Sequence, residues 1–201
     1  MIRNDNKGSF MKLKFKTTDK KSREYKYRES VWDLTKQLSV DEYLKVSKYP
    51  FVKGGWVEEK KESTCGYKIC VNDEWKDKDK LLYLLVIDGK ILKGGKSKNP
   101  LPKRTYGAGT EENWTMKGSP SDTNYIYSQI FRQCLEDNVS VEFYLFQAPK
   151  HLVKYPLSNG GTGEVMVSPY EEMEQSLNAH LMKELGRKPI GEGNLFEQHK
   201  N

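Results

Sequence analysis

Three cysteines and three histidines are few for a chain of 201 residues, and they bear on two classes of function. Cys65 and Cys70 stand at a spacing poorly suited to zinc, with Cys134 and the scattered His151, His180 and His199 adding no partner motif, so a structural zinc site is not expected. So few cysteines also suit a reducing compartment. No apolar run approaches the roughly 18 residues that a membrane span needs. The N-terminus has no signal-peptide hydrophobic region, and a cytoplasmic protein is the expectation. Internal repeats are absent. So is a complete phosphate-binding G-x-x-x-x-G-K-[ST] loop, which argues against a nucleotide-binding enzyme built around Lys93-Gly94-Gly95. Charge is not scarce: 34 Lys and Arg outnumber 28 Asp and Glu, a balance that favours a polyanion over an acidic partner.

The most informative stretch is Lys80 to Thr110. It opens with the longest apolar run in the chain, Leu81 to Ile87, broken only by Tyr83. It turns at Asp88-Gly89, a strong hairpin signal, resumes at Ile91-Leu92 and ends on Lys93-Gly94-Gly95. Tyr83, Lys93 ten residues later and Arg104 eleven residues beyond supply a phenol and two cations. A phenol can order or deprotonate a water, a cation favours its phenolate, and an arginine braces the charge on phosphate oxygens. That equipment suits attack on a phosphodiester. Taken singly, a strand tyrosine is ordinarily core and the cations ordinarily solvated. A two-residue turn at Asp88-Gly89 would put Tyr83 and Lys93 on opposite faces of the hairpin. Bringing them together requires a three-residue connection or a β-bulge.

Tyr83, Lys93-Gly94-Gly95 and Arg104, in this order and spacing, resemble the GIY-YIG nucleases, and within them the branch of compact type II restriction endonucleases, where lysine replaces the tyrosine of the second motif. Thr123-Asn124-Tyr125 and Arg187-Lys188-Pro189-Ile190-Gly191 resemble further pieces of that branch, so the likeness runs from Tyr83 to Gly191. Leu81-Leu82 stand where the family has glycine-isoleucine. The resemblance implies a small α/β (α+β) core, a β-hairpin plus a third strand flanked by helices, behind an N-terminal α/β extension. The expected organisation is an extension over 1–79 that contacts DNA and supports a dimer, a catalytic core over 80–191 with an inserted loop at 147–167, and a tail over 192–201.

Outside the hairpin, residues 1–29 are polar and basic, and Met11 to Phe15 alternates like a strand with one wet face. They read equally as an arm on nucleic-acid phosphates or as a solvated leader. A helix is expected over Val31 to Leu38, and another from Val40, capped by Ser39-Val-Asp-Glu42, burying Tyr43, Leu44 and Val46 and stopping before Pro50. Tyr67 to Val71 reads as a strand and Asn72 to Lys80 as a linker. A short helix over Leu101 to Tyr106 would present Arg104. Ser121 should cap a helix carrying Ile126, Ile130 and Cys134 on one face, and Val139 to Phe146 alternates as a third strand. The segment 147–167 reads as loop, made mobile by Asn159-Gly-Gly161 and Gly163.

The last helix should begin with the capping box Ser168-Pro169-Tyr170-Glu171, proline at its first position, and end at Gly186. Met173, Leu177, Leu181 and Leu185 form its apolar stripe, about 40° apart in succession. Glu174 lies within that stripe, whereas Glu171 and Glu172 lie outside it. A carboxylate on a core-facing side needs a partner. Counted back from Pro189-Ile190-Gly191, the resemblance also makes Glu174 the glutamate that holds the divalent metal.

The resemblance therefore implies a sequence-specific endonuclease for double-stranded DNA in a prokaryotic or viral setting. Tyr83 would be general base or water-orienting group, Lys93 its cation, Arg104 the phosphate clamp and Tyr106 a further hydrogen-bonding group. Glu174 would bind Mg²⁺, with Mn²⁺ as substitute, and products would carry 5′-phosphates. Lys96, Lys98, Lys103 and Asn124 are candidate DNA contacts. A homodimer is expected, since a short duplex site is usually read by a symmetric pair, and a restriction enzyme implies a cognate DNA methyltransferase. Two alternatives stay open: a non-catalytic nucleic-acid-binding module on the same fold, and a monomeric nicking, repair or mobile-element nuclease.

Overall fold

The computed structural model describes residues 10–18, 25–63, 66–103 and 122–191, with 10–18, 25–32, 103 and 122–126 described by backbone alone. The fold is mixed α+β, organised on a five-stranded antiparallel sheet. Its strands are β3 (Val52–Glu59), β4 (Tyr67–Val71), β5 (Leu81–Ile87), β6 (Lys90–Ser97) and β7 (Val141–Gln147), in the order β4-β3-β7-β5-β6. Strand β5 has no polar alternation because helices cover both its faces, and each of its seven side chains is fully buried. Tyr83, Leu85 and Ile87 face α2 (Asp122–Glu136) through Tyr127, Ile130, Phe131 and Cys134. Leu82, Leu84 and Val86 face α1 (Val40–Val46) and α3 (Tyr170–Leu185) through Val40, Tyr43, Leu177 and Leu181. Among the described residues no helix is long and apolar enough to cross a membrane.

The hairpin resolves the parity question with a bulge. Asp88 and Gly89 have φ of 49° and 72°, and Ile87 pairs with Lys90, so the turn contains two residues. The register then shifts: Val86 pairs with Ile91 but Leu85 pairs with Lys93, leaving Leu92 as the extra residue. Beyond the shift, Tyr83 lies opposite Gly95. Tyr83 and Lys93 thus share the α2 face.

Several expectations need correction. No helix spans Val31 to Leu38: β1 (Phe10–Thr18) and β2 (Tyr25–Asp33) form a separate hairpin, and only Leu34–Lys36 makes one 3-10 turn, started where the Asp33 carboxylate accepts from the Thr35 N–H at 3.1 Å. Val46 is 51% exposed, so α1 buries Val40 and Tyr43 and leaves its end wet. Strand β3 was hidden by Gly54 and Gly55, which make room for neighbours. A Cβ on Gly54 would come within 2.7 Å of the Trp75 indole, and Trp75 itself is buried, so the supposed linker 72–80 contributes to the core. The segment 147–167 is not loop but contains a second separate hairpin, β8 (His151–Pro156) with β9 (Thr162–Val167). Helix α3 starts one residue late: Pro169 takes the N-cap without a side-chain capping bond, and the buried Ser168 hydroxyl finds no partner. Its end is as expected, with Gly186 left-handed at φ 72°.

Candidate functional site

Strand β6 is an edge of the sheet, and its alternate residues send side chains to two different helices. On the α2 face, the half-buried Lys93 holds its ammonium 5.3 Å from the centre of the Tyr127 ring, and the Tyr83 ring meets Phe143 edge-on. Gly95 must be glycine there, because a Cβ would collide with the phenol end of Tyr83. The C-terminal segment closes this side. Gly191 N–H donates to the Leu92 carbonyl at 2.8 Å, and Tyr127 hydroxyl donates to the Gly191 carbonyl at 2.6 Å. The bulge turns the Leu92 carbonyl out of the ladder, and Gly191 satisfies it. Arg187 and Ile190 anchor the same segment to the Lys36 carbonyl and the Gln37 side chain.

On the α3 face, Lys96 reaches Glu174 at 3.1 Å and Glu171 at 3.6 Å. Its hydrogen bond to Glu174 is the main cause of a raised ammonium pKa, opposed by partial burial and reinforced by the charges of Glu174 and Glu171. Tyr170 lies alongside, with Lys80 4.4 Å and Lys96 5.8 Å from its ring centre. Burial, then a hydrogen bond with Glu171, raises the Tyr170 pKa. Lys98 is exposed near the same phenol.

The structure therefore brings the expected residues together in two groups. Tyr83 and Lys93 share one face of the hairpin, while Lys96 and Glu174 share the other, so the sheet edge separates Tyr83 from Glu174. Tyr83 is wholly enclosed, and Glu174 is 23% exposed with Lys96 as the partner its position demanded. Arg104 and Tyr106 lie outside the described residues, as do the side chains of Lys103 and Asn124. Among the described residues no three His, Cys, Asp or Glu side chains gather as a metal cluster. The donors still suit a hard divalent ion. Two carboxylates converge on the Lys96 ammonium, and Mg²⁺ is commonly held by one or two carboxylates with water completing the shell.

Sequence reasoning missed Glu171, Tyr170 and Tyr127. Glu171 stands three residues before Glu174 on α3, a spacing that puts both on one side of the helix. Helix-wheel angles measured from the apolar stripe set it apart from Glu174. Tyr127 and Tyr170 acquire their roles from strands distant in sequence, and no local pattern signals them.

No protein-family model matches the chain. No curated protein matches it at a significant level. Solved structures do. One is the restriction endonuclease HPY188I in complex with product DNA, 27% identical, with a TM-score of 0.50 over 80% of this chain and 89% of that one. Another is a mutant of EndoII from bacteriophage T4, 20% identical, with a TM-score of 0.49 over 75% of this chain and 97% of that one.

Proposed function

We propose that the chain is a metal-dependent endonuclease for double-stranded DNA, a type II restriction enzyme of the GIY-YIG kind. The observation that carries this reading is the likeness, over four-fifths of the chain, to a restriction endonuclease holding product DNA. The bulge that puts Lys93 on the face of Tyr83 supports it, because it supplies the juxtaposition that the chemistry needs.

On this reading the scissile phosphate lies along the β6 edge. Tyr83 orients the attacking water or takes its proton, and Lys93 favours the phenolate. Arg104 binds the phosphate and steadies the charge that builds on it, with Tyr106 adding a hydrogen bond. A divalent ion held by Glu174, with Glu171 beside it, would neutralise phosphate charge and stabilise the departing 3′ oxygen. Water adds to phosphorus, the bond to the 3′ oxygen breaks, and the ends carry a 5′-phosphate and a 3′-hydroxyl. Because Tyr83 is enclosed, DNA must open a water path to it. Lys96, now paired with Glu174, must yield its place to the ion. A homodimer would cut both strands, and a cognate methyltransferase would protect the host's own sites.

A second reading, a non-catalytic DNA-binding module, is favoured by that same enclosure and by the Glu174–Lys96 pair. One experiment separates the two. Protein and its Glu174→Ala variant are incubated with unmethylated phage DNA, with Mg²⁺ or with EDTA. Discrete fragments that require both metal and Glu174 support restriction, and a smear with the same requirements supports a less specific nuclease. Intact but retarded DNA supports the binding module.

A further inference from the structure

The open end of the β5–β6 hairpin, away from its Asp88-Gly89 turn, collects cations. Leu81 pairs with Ser97 there, and just beyond them the Lys80 N–H donates to the Lys98 carbonyl at 3.3 Å. The Ala148 N–H donates to the Lys80 carbonyl at 3.0 Å, and the buried Ser97 donates its hydroxyl to the Asn99 carbonyl at 2.7 Å. Both lysines therefore stand on pinned backbone. Among the described residues, three that are not glycine have positive φ. Asp88 and Asn138 are of the types that tolerate the left-handed region, whereas Lys80, at φ 52°, is not. Such strain clusters at functional sites. The Lys80 side chain lies over Tyr170, its ammonium 4.4 Å from the ring centre, and the exposed Lys98 lies near enough for its charge to act on the same phenol. Lys96, also beside that ring, is taken by Glu174 and Glu171, and Asp79 is taken by Lys150 at 2.8 Å. Among the described residues neither Lys80 nor Lys98 makes an ion pair with a carboxylate.

We propose that Lys80 and Lys98, set on either side of Tyr170, together hold one phosphate of the DNA backbone, next to the phosphate that is cut. This rests on the reading that the scissile phosphate lies along the β6 edge. Two ammonium groups without a carboxylate partner, gathered around one ring, supply charge and donors for a single anion. The spacing suits a neighbouring phosphate. From Lys96, beside the carboxylates proposed to hold the ion, to Lys98 is a step of two extended residues, about 6.6 Å, which is on the scale of the distance between successive phosphates in one strand. Contacts to phosphate position a duplex rather than read its sequence. The seat therefore sets the register of the cut strand, and Lys80 and Lys98 are positioning residues. The Tyr170 ring keeps the Lys80 ammonium in place before DNA arrives.

The test is fluorescence anisotropy of a short labelled duplex with the full chain in EDTA, repeated over a range of salt concentrations. The slope of log affinity against log salt counts the phosphates that the protein neutralises. Lys80→Gln and Lys98→Gln singly should weaken binding and leave the slope nearly as it was, because one ammonium still covers the phosphate. The double variant should lose about one unit of slope and roughly tenfold in affinity at about 0.1 M salt. Lys80→Arg with Lys98→Arg should restore the slope, and circular dichroism checks that each variant is folded. An unchanged slope in the folded double variant, with the parent binding and cutting DNA, overturns the seat and leaves the nuclease reading standing. A loss of about two units assigns the lysines to separate phosphates and overturns the shared seat. Inorganic phosphate at constant ionic strength should not displace the duplex; displacement from the parent but not from the double variant would make this a site for free phosphate and overturn the proposal. A parent chain that binds no duplex overturns the seat and the nuclease reading together.

Discussion

Gly191 and Leu92, about a hundred residues apart in sequence, are joined through backbone alone: the Gly191 N–H meets the Leu92 carbonyl at 2.8 Å. That carbonyl belongs to the bulged residue near the start of β6, so this strand and the C-terminal segment hold each other in place. The Tyr127 hydroxyl completes the arrangement from α2.

Tyr127→Phe removes the hydroxyl that donates to the buried Gly191 carbonyl while leaving the ring in position. An unsatisfied buried acceptor costs about 1–3 kcal/mol. The melting temperature should fall by about 2–4 °C for each kcal/mol, read by calorimetry. An unchanged melting temperature would show that the Gly191 contact contributes nothing to the fold.

Gly95→Ala places a methyl group against the phenol of Tyr83, which has no room to retreat in a fully packed core. Stability should drop by about 1–3 kcal/mol in urea titration. If Tyr83 serves the chemistry, DNA cleavage should fall by more than the loss of folded protein accounts for. Cleavage that merely tracks the folded fraction would separate Tyr83 from the active site.

Lys96→Met leaves Glu174 and Glu171 facing each other without the ammonium between them. If these carboxylates hold the ion, the variant should bind Mn²⁺ more tightly than the parent in the absence of DNA, measured by calorimetric or electron-spin-resonance titration. Equal affinity would remove the metal from this face.

Two buried groups make stability sensitive to alkali. Burial pushes the Cys134 thiol up to about 12 from an ordinary 9.0 and the Tyr43 phenol up to about 12 from 10.0. Both must lose protons more readily unfolded than folded. Their contribution is therefore complete below pH 9 and lost progressively as pH rises through 12. Urea midpoints should decline across that window, and Cys134→Ala should delay the onset of the decline to about pH 10, where Tyr43 takes over. A variant whose decline begins at the same pH as the parent's would refute the assignment.

Where local chemistry determines structure, the sequence was readable. Leu81–Ile87, the Asp88-Gly89 turn, Tyr67–Val71 and the Gly186 stop each follow from a short pattern, and the structure has all four. Parity also showed that bringing Tyr83 and Lys93 to one face needs a three-residue connection or a bulge, although the choice of a bulge and its position at Leu92 were not legible. Strand β3 was missed because Gly54 and Gly55 lower strand preference locally. Their purpose is to admit Trp75 and the carbonyl of Cys70, which only the folded chain brings near. The β8–β9 hairpin was missed because its glycines and Pro156 read as punctuation. The oddity of Glu174 was visible on a helical wheel, whereas the identity of its partner depended on which face of β6 each residue takes.

The pairing of a two-residue turn with a single bulged leucine has an evolutionary meaning. A hairpin with one more residue at the tip and no bulge would deliver Lys93 to the same face. The two forms are equivalent at the site but cannot be reached by one insertion or deletion without inverting it. Length changes at the Asp88-Gly89 tip should therefore be tolerated only in pairs, or together with loss of the extra residue at Leu92. Anyone grafting this hairpin onto another scaffold inherits the same arithmetic.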